Sequence, residues 1–185
     1  MSDALSRADS HALVQRVQDQ AIVSVHETEE QFLRLHLVPE TKVLLAIHQV
    51  AEVLTIPVGQ IVPIPHMPAY VMGVHNWRGE VLWMIDLGHL GGLTPCYQQA
   101  IRVAYTAVVL QGYDKASRQK SQTLGLVVDR VEDVEWCDPN RIQTFPSTAM
   151  ISELTPLLRG YWWKSDDAML AVLEAEAIIA TIATL

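Results

Sequence analysis

Seven histidines are the side chains of this sequence that best suit metal binding or acid–base catalysis. His66, His75 and His89 lie too far apart in sequence to match a metal motif, because two imidazoles that hold one ion usually lie four residues apart on a helix or across a short loop. His36 falls on the polar side of an alternating strand pattern. The spacing favours scattered structural histidines, so we predict no metal site and no cofactor.

Cys96 and Cys137 are the two cysteines, and neither lies in a context that activates a nucleophile. The sequence has no Gly-x-Ser-x-Gly elbow, and the Leu-Gly-Gly-Leu tract at 90–93 lacks the lysine of a phosphate-binding loop. The two cysteines are far apart and in no metal-ligand spacing. They are therefore predicted to be free thiols.

Two pairs of adjacent carboxylates, Glu132-Asp133 and Asp166-Asp167, are the remaining candidates for acid–base chemistry. Neighbouring residues on a strand point to opposite faces, and a solvated turn needs no catalytic role. The residues therefore give no positive support for an enzyme.

The formal charge of −8 argues against one large class of partner. Most of this charge lies in Asp129–Leu185, and an acidic surface repels phosphate backbones. The one basic patch, Lys115–Lys120, falls in a polar loop predicted over Gln111–Gln122. We therefore predict no binding to nucleic acid.

Met169–Leu185 is the apolar stretch that most resembles a membrane anchor. Glu174 and Glu176 interrupt it, and no basic cluster follows it. A strand that leads into a core-packed helix explains the stretch better. The first twenty residues mix charges through their apolar positions and do not resemble a signal peptide. We expect a soluble, cytoplasmic protein with no direct membrane insertion.

Two of the five tryptophans lie close to one tight turn. Trp77 precedes the pair Arg78-Gly79 and Trp83 follows it, while Trp162 and Trp163 are adjacent, so that one of them should face outward from a strand. Aromatic and arginine side chains near a rigid turn are favoured interface anchors, because they bury much area at small entropic cost. The alternative is that Trp83 and one of the adjacent pair are simply core residues.

The elements that must position this turn are short strands. Two apolar runs, Val71–Trp77 and Glu80–Leu87, flank Arg78-Gly79, where the glycine can adopt the positive φ of a hairpin turn. Leucines alternate with polar residues over Leu33–Leu37, the period of a strand with one buried face. Roughly ten such strands indicate antiparallel barrels or a sandwich, and two small barrels fit the chain length. Apolar residues at helical spacing over 178–185 predict a short closing helix.

Three ordered segments resemble the CheW family of chemotaxis coupling proteins. The run Val71–Leu87 is similar to the family signature, a G-V-x-N-x-R-G turn followed by a strand that ends in I-D-L. Ala46–Val53 resembles an I-x-x-V-x-E-I segment, and Gly125–Val134 resembles a G-x-x-V-D-x-V-x-x-V segment. The resemblance begins near Gln31. Residues 1–30 are therefore interpreted as an N-terminal extension and residues 31–185 as a CheW-like domain of two barrel lobes.

This resemblance implies both a fold and a role. Family members have two five-stranded, SH3-like antiparallel barrels that share a hydrophobic core, with short helices at the ends, and they are not enzymes. They couple the cytoplasmic tips of methyl-accepting chemoreceptors to the regulatory domain of a CheA-type histidine kinase, in membrane-associated arrays. The resemblance also leads us to expect an ion pair between Glu52 and Arg78. The residues that it assigns to partner binding are Glu52, Asn76, Trp77, Arg78, Gly79 and Glu80.

Two departures from the family pattern lie beside the turn. Trp77 stands where the family turn has leucine, and Trp83 stands where it has proline. The resulting sequence, N-W-R-G-E-V-L-W, is similar to that of coupling proteins of type IV pilus phototaxis systems in cyanobacteria. Phototaxis is therefore one signalling system in which the protein is predicted to act. Two other functions stay open at this point. One is a small-molecule-binding β-barrel regulator, which needs a closed pocket that the proline loop or Trp83 would line. The other is a zinc hydrolase of unknown type.

Overall fold

The computed structural model describes residues 29–98, 102–114, 119–144, 153–165 and 168–183. Most of the predicted N-terminal extension, part of the basic patch and the Asp166-Asp167 pair lie outside these ranges. Within them the chain forms short strands and two helices, joined in places by single 3-10 turns. The strands are β1 (Glu30–Leu37), β2 (Thr41–Ala46), β3 (Val50–Pro57), β4 (Val71–Trp77), β5 (Glu80–Asp86), β6 (Ala104–Asp114), β7 (Gln119–Val128), β8 (Arg130–Cys137), β9 (Leu158–Ser165) and β10 (Ala168–Leu173), and the helices are α1 (Leu87–Leu90) and α2 (Ala175–Ala183).

The described strands form two five-stranded sheets. One has the order β8-β1-β2-β10-β9 and the other the order β3-β6-β7-β5-β4, and we call them the first and second barrels. Each sheet is antiparallel apart from one parallel pair, β10 with β2 and β5 with β7. The predicted all-β architecture of two five-stranded units is confirmed. The predicted C-terminal helix is present as α2.

The two barrels have the same topology, although the sequence shows no residue-level repeat between its halves. Matched position by position, the two strand orders show the same series of parallel and antiparallel pairings. In each half of the chain, the first two strands belong to one barrel and the next three to the other. Neither half can complete a barrel alone, so the two lobes form one interlocked unit.

A shared hydrophobic core lies between the barrels. Leu35 and Val43 of the first barrel belong to the same buried cluster as Val108 and Leu126 of the second, and α2 adds Ile178. Each barrel also has its own interior cluster. Strands such as β2 and β6 are therefore buried on both faces, which explains why they read as continuous apolar runs rather than as alternating patterns.

Glycines mark the point where each barrel closes. The segment after β3 pairs with β4 through Val62 and Val74, and the segment after β8 pairs with β9 through Gln143 and Tyr161. In both cases a glycine precedes the second residue of the bridge. A Cβ on Gly73 would lie 2.7 Å from the carbonyl carbon of Val62, and one on Gly160 would lie 2.6 Å from the carbonyl oxygen of Gln143. No side chain fits at either position.

Two local predictions are corrected by the structure. The polar loop predicted over Gln111–Gln122 is largely strand, because the β6–β7 ladder continues through Gln111 with Thr123 and Tyr113 with Lys120. Backbone pairing does not require apolar side chains. His36, predicted on a polar face, is only 3% exposed, and its Nδ1 atom lies 3.1 Å from the carboxylate of Asp129, the residue before β8.

Candidate functional site

The predicted turn forms the tip of the β4–β5 hairpin in the second barrel. Trp77 and Glu80 are register partners, so the loop between them consists of Arg78 and Gly79 alone. Both loop residues have positive φ, 54° and 86°, as a type I′ turn requires. The Asn76 Oδ1 atom accepts a hydrogen bond from the backbone nitrogen of Gly79 at 3.1 Å. The sequence N-W-R-G therefore specifies a short and rigid turn.

Glu52 on β3 holds this turn from the other edge of the sheet. Its Oε2 atom accepts a hydrogen bond from Trp77 Nε1 at 2.9 Å and another from Arg78 Nη2 at 2.9 Å. Because β3 and β4 are the two ends of the strand order, these bonds join the edges of the second barrel. The expected pairing of Glu52 with Arg78 is confirmed. We call Glu52, Trp77 and Arg78 the clamp.

The clamp holds an arginine that a partner can still reach. The guanidinium carbon of Arg78 lies 5.0 Å from the centroid of the Trp77 ring, within cation–π range. The Arg78 side chain is 68% exposed and that of Glu52 is 34% exposed. Trp77 is half-buried and packs against the interior cluster of its barrel. The clamp therefore presents a charged, accessible group on a partly buried aromatic base.

Hydrogen bonds link five of the six predicted site residues in two sets, Glu52 with Trp77 and Arg78, and Asn76 with Gly79. Glu80 joins them by position, because it is the register partner of Trp77 and shares its face of the hairpin. The next residue, Val81, is an exposed apolar side chain. Donors, a carboxylate and exposed apolar surface on a rigid turn suit recognition of another protein.

The other tryptophans divide as the sequence predicts. Trp162 is buried in the interior of the first barrel, and its neighbour Trp163 is exposed. Trp83 is half-buried and packs against the shared core. It also lines an open cleft between the proline loop and the end of α2, together with Met67 and Ile182.

An ionic network on the first barrel was not predicted from the sequence. Arg34 contacts Glu132 at 3.0 Å, Asp133 at 3.8 Å and also Glu135. Glu132 and Asp133 were expected to point to opposite faces, and this expectation is wrong. A β-bulge interrupts the β1–β8 register after Arg34, and the extra residue lets neighbouring side chains reach one guanidinium. No local sequence signal reports this bulge.

A second part of this network surrounds Asp129. The carboxylate contacts Arg102 and Arg130 and lies 3.1 Å from Nδ1 of His36. Burial acts to raise the pKa of Asp129, but the hydrogen bond and charge of Arg102, with a smaller contribution from His36, hold the pKa below its ordinary value. The network links β1, β8 and the residues that lead into β6, so its geometry fits a structural role between the barrels.

The buried thiols have little nucleophilic character. Cys96 lies in the interior cluster of the second barrel and Cys137 in that of the first, and both are free. Burial, reinforced by the charge of Asp86, raises the pKa of Cys96 to about 12. Burial and the charge of Glu135 raise the pKa of Cys137 to about 12. Neither thiol is poised for covalent chemistry at neutral pH.

Within the described ranges, no group of three or more histidine, cysteine, aspartate or glutamate side chains is arranged to hold a metal ion. None of the helices found in those ranges combines the length and apolar character needed to span a bilayer.

The fold and the clamp define a class of protein, namely two interlocked SH3-like barrels that present a rigid N-x-R-G turn. Residues 13–183 match the profile of the CheW-like domain. The chain belongs to the CheW-like domain family, as its sequence motifs predict.

Three known proteins show how far this similarity extends. The chain is 32% identical over 116 residues to a probable chemotaxis protein CheW of Rhizobium etli, an alignment that covers 63% of this chain and 67% of the relative. It is 36% identical over 87 residues to the chemotaxis protein CheW of Rhizobium meliloti, covering 47% and 50%. The crystal structure of the scaffolding protein TtCheW from Thermoanaerobacter tengcongensis superposes with a TM-score of 0.63 at 25% identity, covering 79% of this chain and 89% of TtCheW.

Proposed function

We propose that this protein is a non-enzymatic adaptor that couples chemoreceptors to a CheA-type histidine kinase. The observation that carries the proposal is the match of residues 13–183 to the CheW-like domain. Two relatives are named chemotaxis proteins and a structural neighbour is a scaffolding protein, which agrees with the proposal. The clamp adds a rigid, accessible recognition site on the second barrel.

The proposed adaptor has two contacts. The clamp and its exposed neighbour Glu80 face the cytoplasmic tip of a methyl-accepting receptor, and one barrel pairs with the related regulatory domain of the kinase. An interlocked pair of barrels transmits geometry well because neither lobe can move far without the other. A receptor shift then biases the kinase equilibrium by the difference in contact energy between its two states.

The proposal places the protein in the cytoplasm, recruited to membrane-associated receptor arrays. It requires no cofactor and no chemistry by the protein itself. The stimulus is not specified by the fold. A phototaxis receptor stays a prediction from the wording of the turn, because the names of the relatives refer to chemotaxis.

A small-molecule-binding barrel is the second candidate, and one observation favours it. The cleft lined by Met67 and Trp83 brings together the proline loop and the tryptophan that the sequence singles out, although it is open rather than the closed pocket that this function needs. A ligand that fills this cleft stabilises the folded protein by RT ln(1 + [L]/Kd), so the melting temperature rises with the logarithm of ligand concentration once the site is saturated. A screen of small molecules that leaves the melting temperature unchanged speaks for the adaptor alone.

Co-purification tests the proposed function. The full chain is mixed with the kinase encoded nearest its gene and with membranes that contain the neighbouring receptor. We expect the chain to bind each partner separately. We also expect it to increase the amount of kinase that sediments with the membranes. A kinase without its regulatory domain is the control and should be lost from the complex. Failure to bind either partner contradicts the proposal.

A further inference from the structure

Trp77 and Arg78 share one acceptor, and this arrangement restricts the arginine. Both side chains donate to Oε2 of Glu52, each at 2.9 Å. The guanidinium also lies over the indole ring at 5.0 Å. A hydrogen bond fixes one nitrogen of the guanidinium, and the ring limits the directions in which the rest of it can turn. An arginine that is 68% exposed would otherwise populate many rotamers.

The restricted guanidinium keeps donors for a partner. Within the described part of the chain, Nη2 is the nitrogen of Arg78 that is hydrogen-bonded to protein. A guanidinium has five N–H groups in a planar fork, so most of them stay available. Preorganised donors lose less entropy on binding than mobile ones.

The charges around the Arg78 guanidinium determine which kind of acceptor it can bind. Glu52 already offsets the charge of Arg78, and Glu80 places a second carboxylate on the same face of the hairpin. A carboxylate from a partner would meet the like charge of Glu52, which lies 2.9 Å from Nη2 of Arg78, and this is unfavourable. A neutral oxygen, such as a backbone or side-chain amide carbonyl, avoids this repulsion.

We infer that Trp77 is a positioning residue that orients Arg78 toward a neutral oxygen acceptor on the receptor tip, an inference that rests on the proposed adaptor function. Trp77 acts through its N–H bond to Glu52 and through its ring. Replacement by phenylalanine removes the N–H donor but keeps an aromatic side chain against the interior cluster. The fold is retained while the orientation of Arg78 is relaxed.

The test is a double-mutant cycle on receptor binding. The variants are Trp77→Phe, Arg78→Ala and the double variant, with Trp163→Phe as the matched control on the exposed face of the first barrel. Calorimetry measures the affinity of each full-length protein for a soluble fragment of the receptor tip, and thermal melting monitors the fold. We expect Arg78→Ala to weaken binding about tenfold or more, as the loss of an interface arginine does.

The cycle separates positioning from direct contact. Trp77→Phe should weaken binding about fivefold when Arg78 is present and less than about twofold when it is replaced, because a residue that acts through another is non-additive with it. Trp163→Phe should bind as the wild type does. Additive losses from the two substitutions overturn the inference, since Trp77 would then contact the partner itself. Unchanged binding by Trp77→Phe also overturns it.

Salt dependence tests the chemistry of the acceptor. The loss caused by Arg78→Ala should be similar at low and high salt if the acceptor is neutral, because screening weakens charge pairs much more than neutral hydrogen bonds. A loss that disappears at high salt identifies a carboxylate acceptor and contradicts this part of the inference. A wild-type protein that fails to bind the receptor fragment instead refutes the proposed function itself.

Discussion

Lys164 donates from Nζ to both carboxylate oxygens of Glu135, at 2.7 and 2.9 Å. Glu135 lies on β8 and Lys164 on β9, the two edges of the first sheet. Their ion pair therefore joins the edges of the first barrel, as Glu52 and Arg78 join those of the second. The two closures differ in burial, because the Glu135 side chain is 10% exposed whereas the Glu52 side chain is 34% exposed.

This difference in burial predicts different effects on stability. Glu135→Gln should lower the free energy of unfolding by about 2 kcal/mol, because it removes a buried charge that two cations, Arg34 and Lys164, surround. Glu52→Gln should cost less than about 1 kcal/mol, because its partner is largely solvated. Urea denaturation of both variants measures the difference. Equal costs would show that the two closures contribute alike.

Gly73 and Gly59 form a matched pair for testing barrel closure. Gly73→Ala should destabilise the protein by about 3 kcal/mol or more, because the added Cβ meets the Val62 carbonyl and the backbone has φ +137°. Gly59 has no atom within 4 Å of an added Cβ, so Gly59→Ala should change stability by less than about 0.5 kcal/mol. Thermal and urea unfolding measure the stability of both variants. A tolerated Gly73→Ala would contradict the close approach of Val62 to β4.

Much of the fold and of the candidate site follows from local sequence signals. Alternating and continuous apolar runs predict the strands, and the pair Arg78-Gly79 predicts the turn that the structure contains. The contact between Glu52 and Arg78 could be expected because family motifs place both residues near one turn. The hydrogen bond from Trp77 to Glu52 could not be expected, because the residue spacing does not indicate which second side chain donates to the Glu52 oxygen that Arg78 also binds.

Other features depend on chain crossings that no local pattern reports. The exchange of strands between the two halves is a long-range choice, and it buries β2 and β6 on both faces. His36 lies on the polar side of its strand pattern, yet it is buried and contacts Asp129, which is distant in sequence. The bulge after Arg34 turns Glu132 toward the arginine. Two adjacent carboxylates therefore lie near one guanidinium, although simple alternation predicts that they point to opposite faces.

The lowered pKa values of Asp129 and Glu132 predict loss of stability in acid. For Glu132, burial acts to raise the pKa, but Lys42, Arg130 and Arg34 outweigh it. Because the unfolded carboxyls take up protons at higher pH than the folded ones, their contribution to stability is complete above about pH 5 and is lost as the pH falls through the lowered values. Urea unfolding between about pH 3 and pH 7 should show this decline, with a shallower slope for Asp129→Asn. A stability that rises toward acid pH would contradict the assignment.

The raised thiol pKa values predict slow modification of Cys96 and Cys137. At about pH 8 only a very small fraction of either thiol is ionised, and both are buried. A thiol-reactive chromophore should label the native protein far more slowly than the urea-unfolded protein, in which both cysteines react. Rapid labelling of the native protein would show that at least one interior cluster opens readily.

Receptor-dependent autophosphorylation of the kinase is the most direct test of the adaptor role. The assay combines kinase and receptor membranes with no added chain, with the wild-type chain and with Arg78→Ala, whose melting temperature should match the wild type closely. If the chain is the adaptor, the receptor changes kinase activity only when the wild-type chain is present, and Arg78→Ala reduces this change about tenfold. The same receptor effect without the chain would contradict the adaptor role.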